Sequence, residues 1–300
     1  MFDELVNQRI KGAGPELVPY IDTFDPAPFV PYDRVRLAGR EVIPALLSAL
    51  AENGLSVFSG YDLNIISDIC RRSGGEMRLI QSADPRFHPH VTPSDSNVTV
   101  LARDGEAIGC VASRLVWCED TLAAEMESGR FWVSDPATMW SADERCITNA
   151  MSASIRACHV VYCGSVYLHP SIRGGNTLAA MMRLHLIWLV CHWRWSWLVG
   201  LVRGDLIHHH AFDIYGAHTL QQALWRDRDG DGELHRYQLC VSDRSLCMDA
   251  WLRPEMGDLA RPLGLPPKSV LPHEAPLPAL RRRRVAAHSA PAQVLAASRA

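Results

Sequence analysis

Residues 156–202 constrain this chain more than any other stretch. An apolar, β-prone run starts at Arg156 and ends at Pro170. A short loop, Ser171 to Asn176, carries Arg173, Gly174, Gly175 and Asn176. A second apolar run then extends from Leu178 to Val202, broken by Arg183, His185, His192 and Arg194 and by Trp193, Trp195 and Trp197. Charges at that density are costly in lipid, so the run reads as a buried helix from Thr177 followed by a buried strand, Trp197–Val202, and not as a membrane span. Strand, small-residue loop, helix start is also the order that builds a phosphate site. The first amides of a helix lack intrahelical partners and point outward as donors. Small residues let a pyrophosphate approach the backbone, and Arg173 adds a charge-assisted contact. The bland alternative is a plain strand-to-helix turn that uses glycine for its geometry.

The flanks extend the pattern. Asn97–Arg103 reads as a strand, Asp104-Gly105 as a tight turn and Ala107–Trp117 as the return strand. Gly39–Asn53 carries Val42, Ile43, Leu46, Leu47 and Leu50 on one stripe and predicts a helix. Leu55–Ser59 predicts a strand, and Asp62–Arg72 a helix with Asp62 as N-cap. Asp120–Ser128 and Ser141–Ala157 predict helices, as does Gly204–Tyr215. Ala223–Arg226 and Leu234–Val241 predict a closing pair of strands.

This order of elements resembles the GNAT N-acetyltransferase superfamily over roughly residues 95–245. Leu168-His169-Pro170 matches the family's strand exit, and Ile172-Arg173-Gly174 the opening of its pyrophosphate loop. The family's two later small positions fall on Asn176 and Leu178. Ala211–Ala217 is similar to the family's late helix with its tyrosine, here Tyr215, with a compressed Tyr-to-Gly spacing.

The resemblance implies an α/β (α+β) fold: a mixed, mostly antiparallel central sheet flanked by helices, with a V-shaped split at the cofactor strand. It implies transfer of an acyl group, acetyl in the first instance, from acetyl-CoA or another acyl-CoA to an amine on a small-molecule or peptide acceptor. Acyl-carrier-protein thioesters are an alternative donor, and a catalytically silent ligand- or partner-binding module is an alternative function. Val166 and Leu168 would pair with the pantetheine arm, and Arg173, Gly174, Gly175, Asn176 and Thr177 would hold the pyrophosphate. Tyr215 would protonate the departing thiolate, against the alternative of an ordinary buried tyrosine. The strand 158–168 has no carboxylate to act as base. His169, at the strand exit, is the preferred candidate on pKa grounds, with His159, Glu119 and Asp120 beside it. Cys163 reads as packing in an apolar strand rather than a nucleophile. Gly129-Arg-Phe-Trp132, Met139-Trp140 and the first 90 residues are the expected acceptor walls, with a core position for Phe131 and Trp132 as an equal alternative.

The expected organisation is an N-terminal α/β extension (1–94), a GNAT-like domain (95–252) and a Pro/Arg/Ala-rich disordered tail (253–300). A formal charge of -3 gives no global electrostatic case for nucleic acid. Nine cysteines without a Cys-x-x-Cys pair, and no visible signal peptide, predict a reducing, cytoplasmic setting. Asp227–Glu233 reads as a polar turn rather than a calcium loop, because Gln238 stands where a bidentate Glu is needed. His208-His209-His210 reads as a helix surface without a matching ligand set, and Arg281–Arg284 as a solvated run.

Overall fold

A computed structural model of the chain describes residues 10, 17–23, 32–77, 79–141, 144–148, 151–173, 176–203, 219–226 and 235–252. The hairpin at its centre is set by Asp104 and Gly105, with φ of +53° and +75°. Two successive positive φ values match the right-handed twist of the strands they join. Those strands are β3 (Ser96–Arg103) and β4 (Glu106–Thr121). β4 pairs antiparallel with β6 (Arg156–Leu168) on its other side.

The remaining strands are β1 (Val18–Pro19), β2 (Ser56–Gly60), β5 (Arg145–Ile147), β7 (Trp197–Arg203), β8 (Thr219–Arg226) and β9 (His235–Asp243). They form one sheet in the order β1-β2-β3-β4-β6-β7-β9-β8-β5. Each described pairing is antiparallel except β6 with β7. The mixed, mostly antiparallel sheet predicted from the sequence is therefore present. β2 pairs with β3 along its length, so residues before 95 extend the same sheet.

Helices cover both faces. On one lie α1 (Tyr32–Leu37), α2 (Ile43–Ala51), α6 (Thr177–His192) and α7 (Arg244–Trp251), packed on Val57, Leu101, Val111, Val161 and Leu168. On the other lie α3 (Asn64–Arg72) and α4 (Leu122–Glu127), with the short α5 (Pro136–Met139) between β4 and β5. Every residue of α6 from Ala180 to Cys191 is buried, because the sheet covers one side and the other helices cover the rest. That burial explains why the run looks lipid-like, and no helix among the described residues is long and apolar enough to cross a membrane.

Three expectations are corrected. The helix expected from Gly39 begins at Tyr32 and passes through a wide turn at Ala38–Val42. Pro44 has no N–H and would clash with the carbonyl four residues back, and a π-turn relieves that conflict. Asp62 sits one residue outside the N-cap of α3, where its Oδ1 accepts from the Asn64 amide at 2.9 Å. Ser141–Ala157 is not a helix in its described part. Arg145–Ile147 forms β5 against Arg226–Leu224, so a pairing partner far along the chain overrides the local pattern.

Candidate functional site

β6 carries the site. Its pairing with β7 is confined to Val160–Tyr162 against Trp197–Val199. Beyond that point β7 turns to β9 alone while β6 continues to Leu168 against β4 alone. The two strands form a fork, the V-shaped split implied by the resemblance. At its base the chains are close. A Cβ on Gly200 would stand 2.9 Å from the Cys163 carbonyl oxygen, so glycine is required for that approach.

A bulge follows the fork on β6. The register shifts between Ala112↔Gly164 and Cys110↔Tyr167, and Ser165 takes φ of +51°. One extra residue reverses the alternation of faces. Val161 and Cys163 face α6 before the bulge, and Val166 and Leu168 face it after. The bulge also sets which backbone groups face the open side. His169 donates its amide to the Ile108 carbonyl at 2.8 Å, so His169 and, two residues back, Tyr167 bond toward β4. The peptide groups of Val166 and Leu168 then point into the fork, where no described strand pairs with them.

The exit of β6 is tied down. His169 caps a 3₁₀ turn (Pro170–Ile172), its Nδ1 2.8 Å from Ser171 Oγ and accepting from the Ser171 amide at 3.2 Å. Arg173 donates from Nε to the Leu168 carbonyl at 2.9 Å, forms an ion pair with Glu76, and lies with Cζ 5.8 Å from the Tyr167 ring. α6 then starts after Asn176, whose side chain makes no capping hydrogen bond. The amides of Thr177, Leu178 and Ala179 have no intrahelical partner, since the first closing bond is Ala180 N to Asn176 O at 2.8 Å. Leu178 is half-buried and packs against the edge of the core on the α6 face. A cavity of about 350 Å³ opens beside this exit, lined in part by Arg72, Arg103, Glu106, Tyr167, His169 and Ser171.

Among the residues singled out from sequence, the structure brings together Val166, Leu168, Arg173, Asn176 and Thr177 at one end of β6. Gly174, Gly175 and Tyr215 lie outside the described residues, as do Gly204–Tyr215, His208–His210, Asp227–Glu233, Arg281–Arg284 and residues 253–300. His169 lies at the loop end of the strand, five residues and roughly 17 Å of extended chain past Gly164. Glu119 and Asp120 lie near the other end of β4, five and six residues from Arg114, the partner of Tyr162, or roughly 17–20 Å. Their amides donate to Glu125 Oε1 at 3.2 and 3.1 Å. His159 packs edge-on against Trp117 with centroids 4.8 Å apart. Cys163 is buried, and desolvation pushes its thiol up to about 12, so it is inert packing. All nine cysteines are free thiols. Among the described residues no group of three His, Cys, Asp or Glu has metal-binding geometry.

One residue at the fork escaped the sequence analysis. Tyr162 turns its ring to the face opposite α6, held edge-on by Phe131 and Trp132 at centroid distances of 5.8 and 5.2 Å. Phe131 and Trp132 take the core alternative and are buried. The phenol oxygen is 2.7 Å from where a Gly164 Cβ would stand. It lies beside Ser82 without closing a hydrogen bond of ordinary geometry, and neither hydroxyl has a partner among the described groups.

No family model and no curated protein matches the sequence. Solved structures do. Arabidopsis thaliana NAA60 in complex with acetyl-CoA is 14% identical, with 62% of this chain and 98% of that one covered and a TM-score of 0.37. An acetyltransferase of the GNAT family from Streptococcus pneumoniae is 8% identical, with 62% and 98% covered and a TM-score of 0.35. FeeM, an N-acyl amino acid synthase from uncultured soil microbes, is 11% identical, with 61% and 82% covered and a TM-score of 0.34. The chain's own sheet carries the assignment. Mostly antiparallel strands, one parallel step that opens into a fork, and a loop that starts a buried helix give it a GNAT-like fold.

Proposed function

We propose that this protein binds an acyl-CoA thioester along the open edge of β6 and transfers the acyl group to an amine. One observation carries the reading: Val166 and the amide of Leu168, whose carbonyl already accepts from Arg173, face a fork that no described strand fills. An amide-bearing chain laid along that edge completes the ladder as an added strand would. The pantetheine arm of CoA has amides of this kind. Exit loop and helix start supply the opposite end, with the amides of Thr177, Leu178 and Ala179 directed at an anion and Arg173 close by. Leu178, half-buried, packs part of its side chain against the core. The pyrophosphate would sit at the loop and the thioester at the base of the fork, near Gly164. Fixing both reactants there removes much of the entropy barrier to attack, and the fork's peptide dipoles stabilise the developing oxyanion.

Calorimetry with CoA and acetyl-CoA tests the binding step. Saturable binding is expected, weakened at least tenfold in Arg173→Ala combined with Asn176→Asp, which removes a cation and adds a carboxylate beside the phosphates. Equal affinity in the double variant would take the loop out of the site.

A further inference from the structure

We infer that the acceptor is a compact amine carrying a carboxylate, of α-amino acid type, and that Arg114 on β4 reads the carboxylate on the sheet face opposite α6. The inference rests on the acyl-CoA reading above and names the acceptor class that reading leaves open.

One row across the sheet carries it. Ser96 on β3, Arg114 on β4 and Tyr162 on β6 are paired directly in register, so their side chains share one face. It is the face on which Val98, Ala112 and Val160 pack, each two residues along its strand from the row. Each residue of the row has a buried polar atom with no hydrogen-bond partner among the described groups: Ser96 Oγ, Arg114 Nη1 and the Tyr162 hydroxyl. The 3₁₀ turn Gln81–Ala83 packs on β4 and β6 over this face and adds two more, Ser82 Oγ and Gln81 Oε1. Buried polar groups are nearly always satisfied, so five such atoms in one place call for a partner from outside the chain.

The chemistry of the five specifies that partner. Arg114 is nearly buried, its side chain 12% exposed, and desolvation lowers its pKa against the opposing pull of Asp95. A guanidinium keeps its charge at neutral pH regardless. Its Nε donates to the Asp95 carbonyl at 3.0 Å and its Nη2 lies 3.6 Å from Asp95 Oδ2, which leaves Nη1 for another acceptor. The other carboxylates of this region have donors of their own. Asp84 is held by Arg86, and Glu144 by Gln81 and the Ser141 amide. His88 is kept neutral by burial and by Arg114 itself. Nη1 and the three hydroxyls can all donate, and a carboxylate is acceptor-only. One cation already shared with Asp95 suits a single negative charge and not a phosphate dianion. Gln81 gives its Nε2 to Glu144, so its Oε1 is turned to accept, and an amine N–H is the matching donor.

The row also stands in the right place. Tyr162 is the last residue of β6 paired to β7, and Gly164, where the thioester is placed, lies two residues or roughly 7 Å further along. A hydrogen bond at one end and a near-attack contact at the other each take about 3 Å, so only a short acceptor spans the distance. Because the row is buried beneath Gln81–Ala83, that turn has to lift for the acceptor to enter.

The test uses the full chain with acetyl-CoA and two acceptor probes, a mixture of the common amino acids and the same mixture with every carboxylate amidated. Free thiol is the readout, and calorimetry measures CoA binding separately. Thiol release is expected with the acids and at least tenfold more slowly with the amides. Arg114→Met should raise KM for the acids by roughly ten- to a hundredfold, with kcat and CoA affinity nearly unchanged. Arg114→Lys, which keeps the charge and loses the fork, should recover part of the loss. Should Arg114→Met melt well below the wild type, Ser96→Ala takes its place. It removes only an unpartnered hydroxyl, and KM should rise by roughly three- to tenfold. Equal rates with acids and amides, or an unchanged KM in the folded variant, overturn the assignment and leave the orphaned atoms to ordered water. A wild type that binds CoA yet releases no thiol with either mixture also overturns it, with the acyl-CoA reading intact. A wild type that binds no CoA overturns both.

Discussion

The two faces of β6 treat their buried hydroxyl groups differently. Toward α6, the buried hydroxyls of Tyr20, Thr99 and Ser113 are matched, although the indole N–H groups of Trp188 and Trp251 have no partner among the described groups. His185 is buried, with Nδ1 2.9 Å from Thr99 Oγ1 and Nε2 2.8 Å from Ser113 Oγ, so one imidazole joins α6 to β3 and β4. Arg183 donates from Nε and Nη2 to the Trp251 carbonyl at 3.3 and 3.2 Å, closing the C-terminal end of α7. Tyr20 donates to the Leu184 carbonyl at 2.6 Å. Toward the other face, Tyr162 OH, Ser82 Oγ and Gln81 Oε1 are buried without partners among the described groups, although Gln81 donates to the buried Glu144. A satisfied network rigidifies a fold, whereas an unsatisfied one costs stability.

The sharpest way to break that contrast is to remove the imidazole. His185→Leu keeps the volume but strands two buried hydroxyls, each worth about 1–3 kcal/mol. Chemical denaturation should show a loss of roughly 2–6 kcal/mol, and a loss under 1 kcal/mol would mean that the network contributes little. Acid gives an independent measure. Desolvation lowers His185 to about 3 and His88 to about 4, against an ordinary value near 6.5. The unfolded chain therefore binds more protons across that interval. Stability is full above about pH 6.5 and drains as pH falls toward 4 and then 3. Unfolding free energies at pH 7.5 and 5 should differ by about 2 kcal/mol per histidine, and His185→Leu should remove about half of the difference. A pH-independent wild type would sink the assignment of neutral, buried imidazoles.

A smaller effect is expected at Arg183. Burial lowers its pKa to about 10, so it remains charged at neutral pH. Arg183→Met retains the apolar stem and loses the bonds to Trp251. Hydrogen bonds from a charged donor contribute about 1.5–3 kcal/mol, and a shift of that size is expected in the urea midpoint. Hydrogen exchange should rise first in α7, the helix whose end is uncapped. Exchange that rises evenly across the sheet would place the role of Arg183 elsewhere.

The two faces also differ in how far the sequence exposes them. The α6 face was legible because its signals are local. Apolar runs, the Asp104-Gly105 turn and the loop before Thr177 each specify an element within about fifteen residues. Val166, Leu168, Arg173, Asn176 and Thr177 follow from that run and meet at one end of β6. The opposite face is assembled from distant parts: Ser82 meets Tyr162 across eighty residues, and β5 finds its partner in β8. No spacing rule reaches across such separations. The bulge at Ser165 was equally hidden, since nothing in Cys-Gly-Ser-Val announces a positive φ at serine. Yet that single residue decides which side chains and peptide groups face the fork. Gly200 and Gly164 did carry a signal, two glycines in buried strands, each a place where another group approaches closely.

The smallest predicted effect tests the contrast from its other side. On the α6 face truncating His185, Thr99 or Ser113 should destabilise, because a partner is left behind. At Ser82 the reverse is expected. Its hydroxyl is buried and unpartnered among the described groups, so the folded state loses hydration there without gaining a bond. Ser82→Ala removes the oxygen and leaves a void of only one small atom. Desolvation relief of about 1 kcal/mol and the lost contacts act in opposite directions, and the net change should lie between zero and about 1 kcal/mol of stabilisation. A variant that is destabilised by 2 kcal/mol or more would show that Ser82 is a satisfied structural group like Thr99 and Ser113. The buried hydroxyls of the two faces would then be alike.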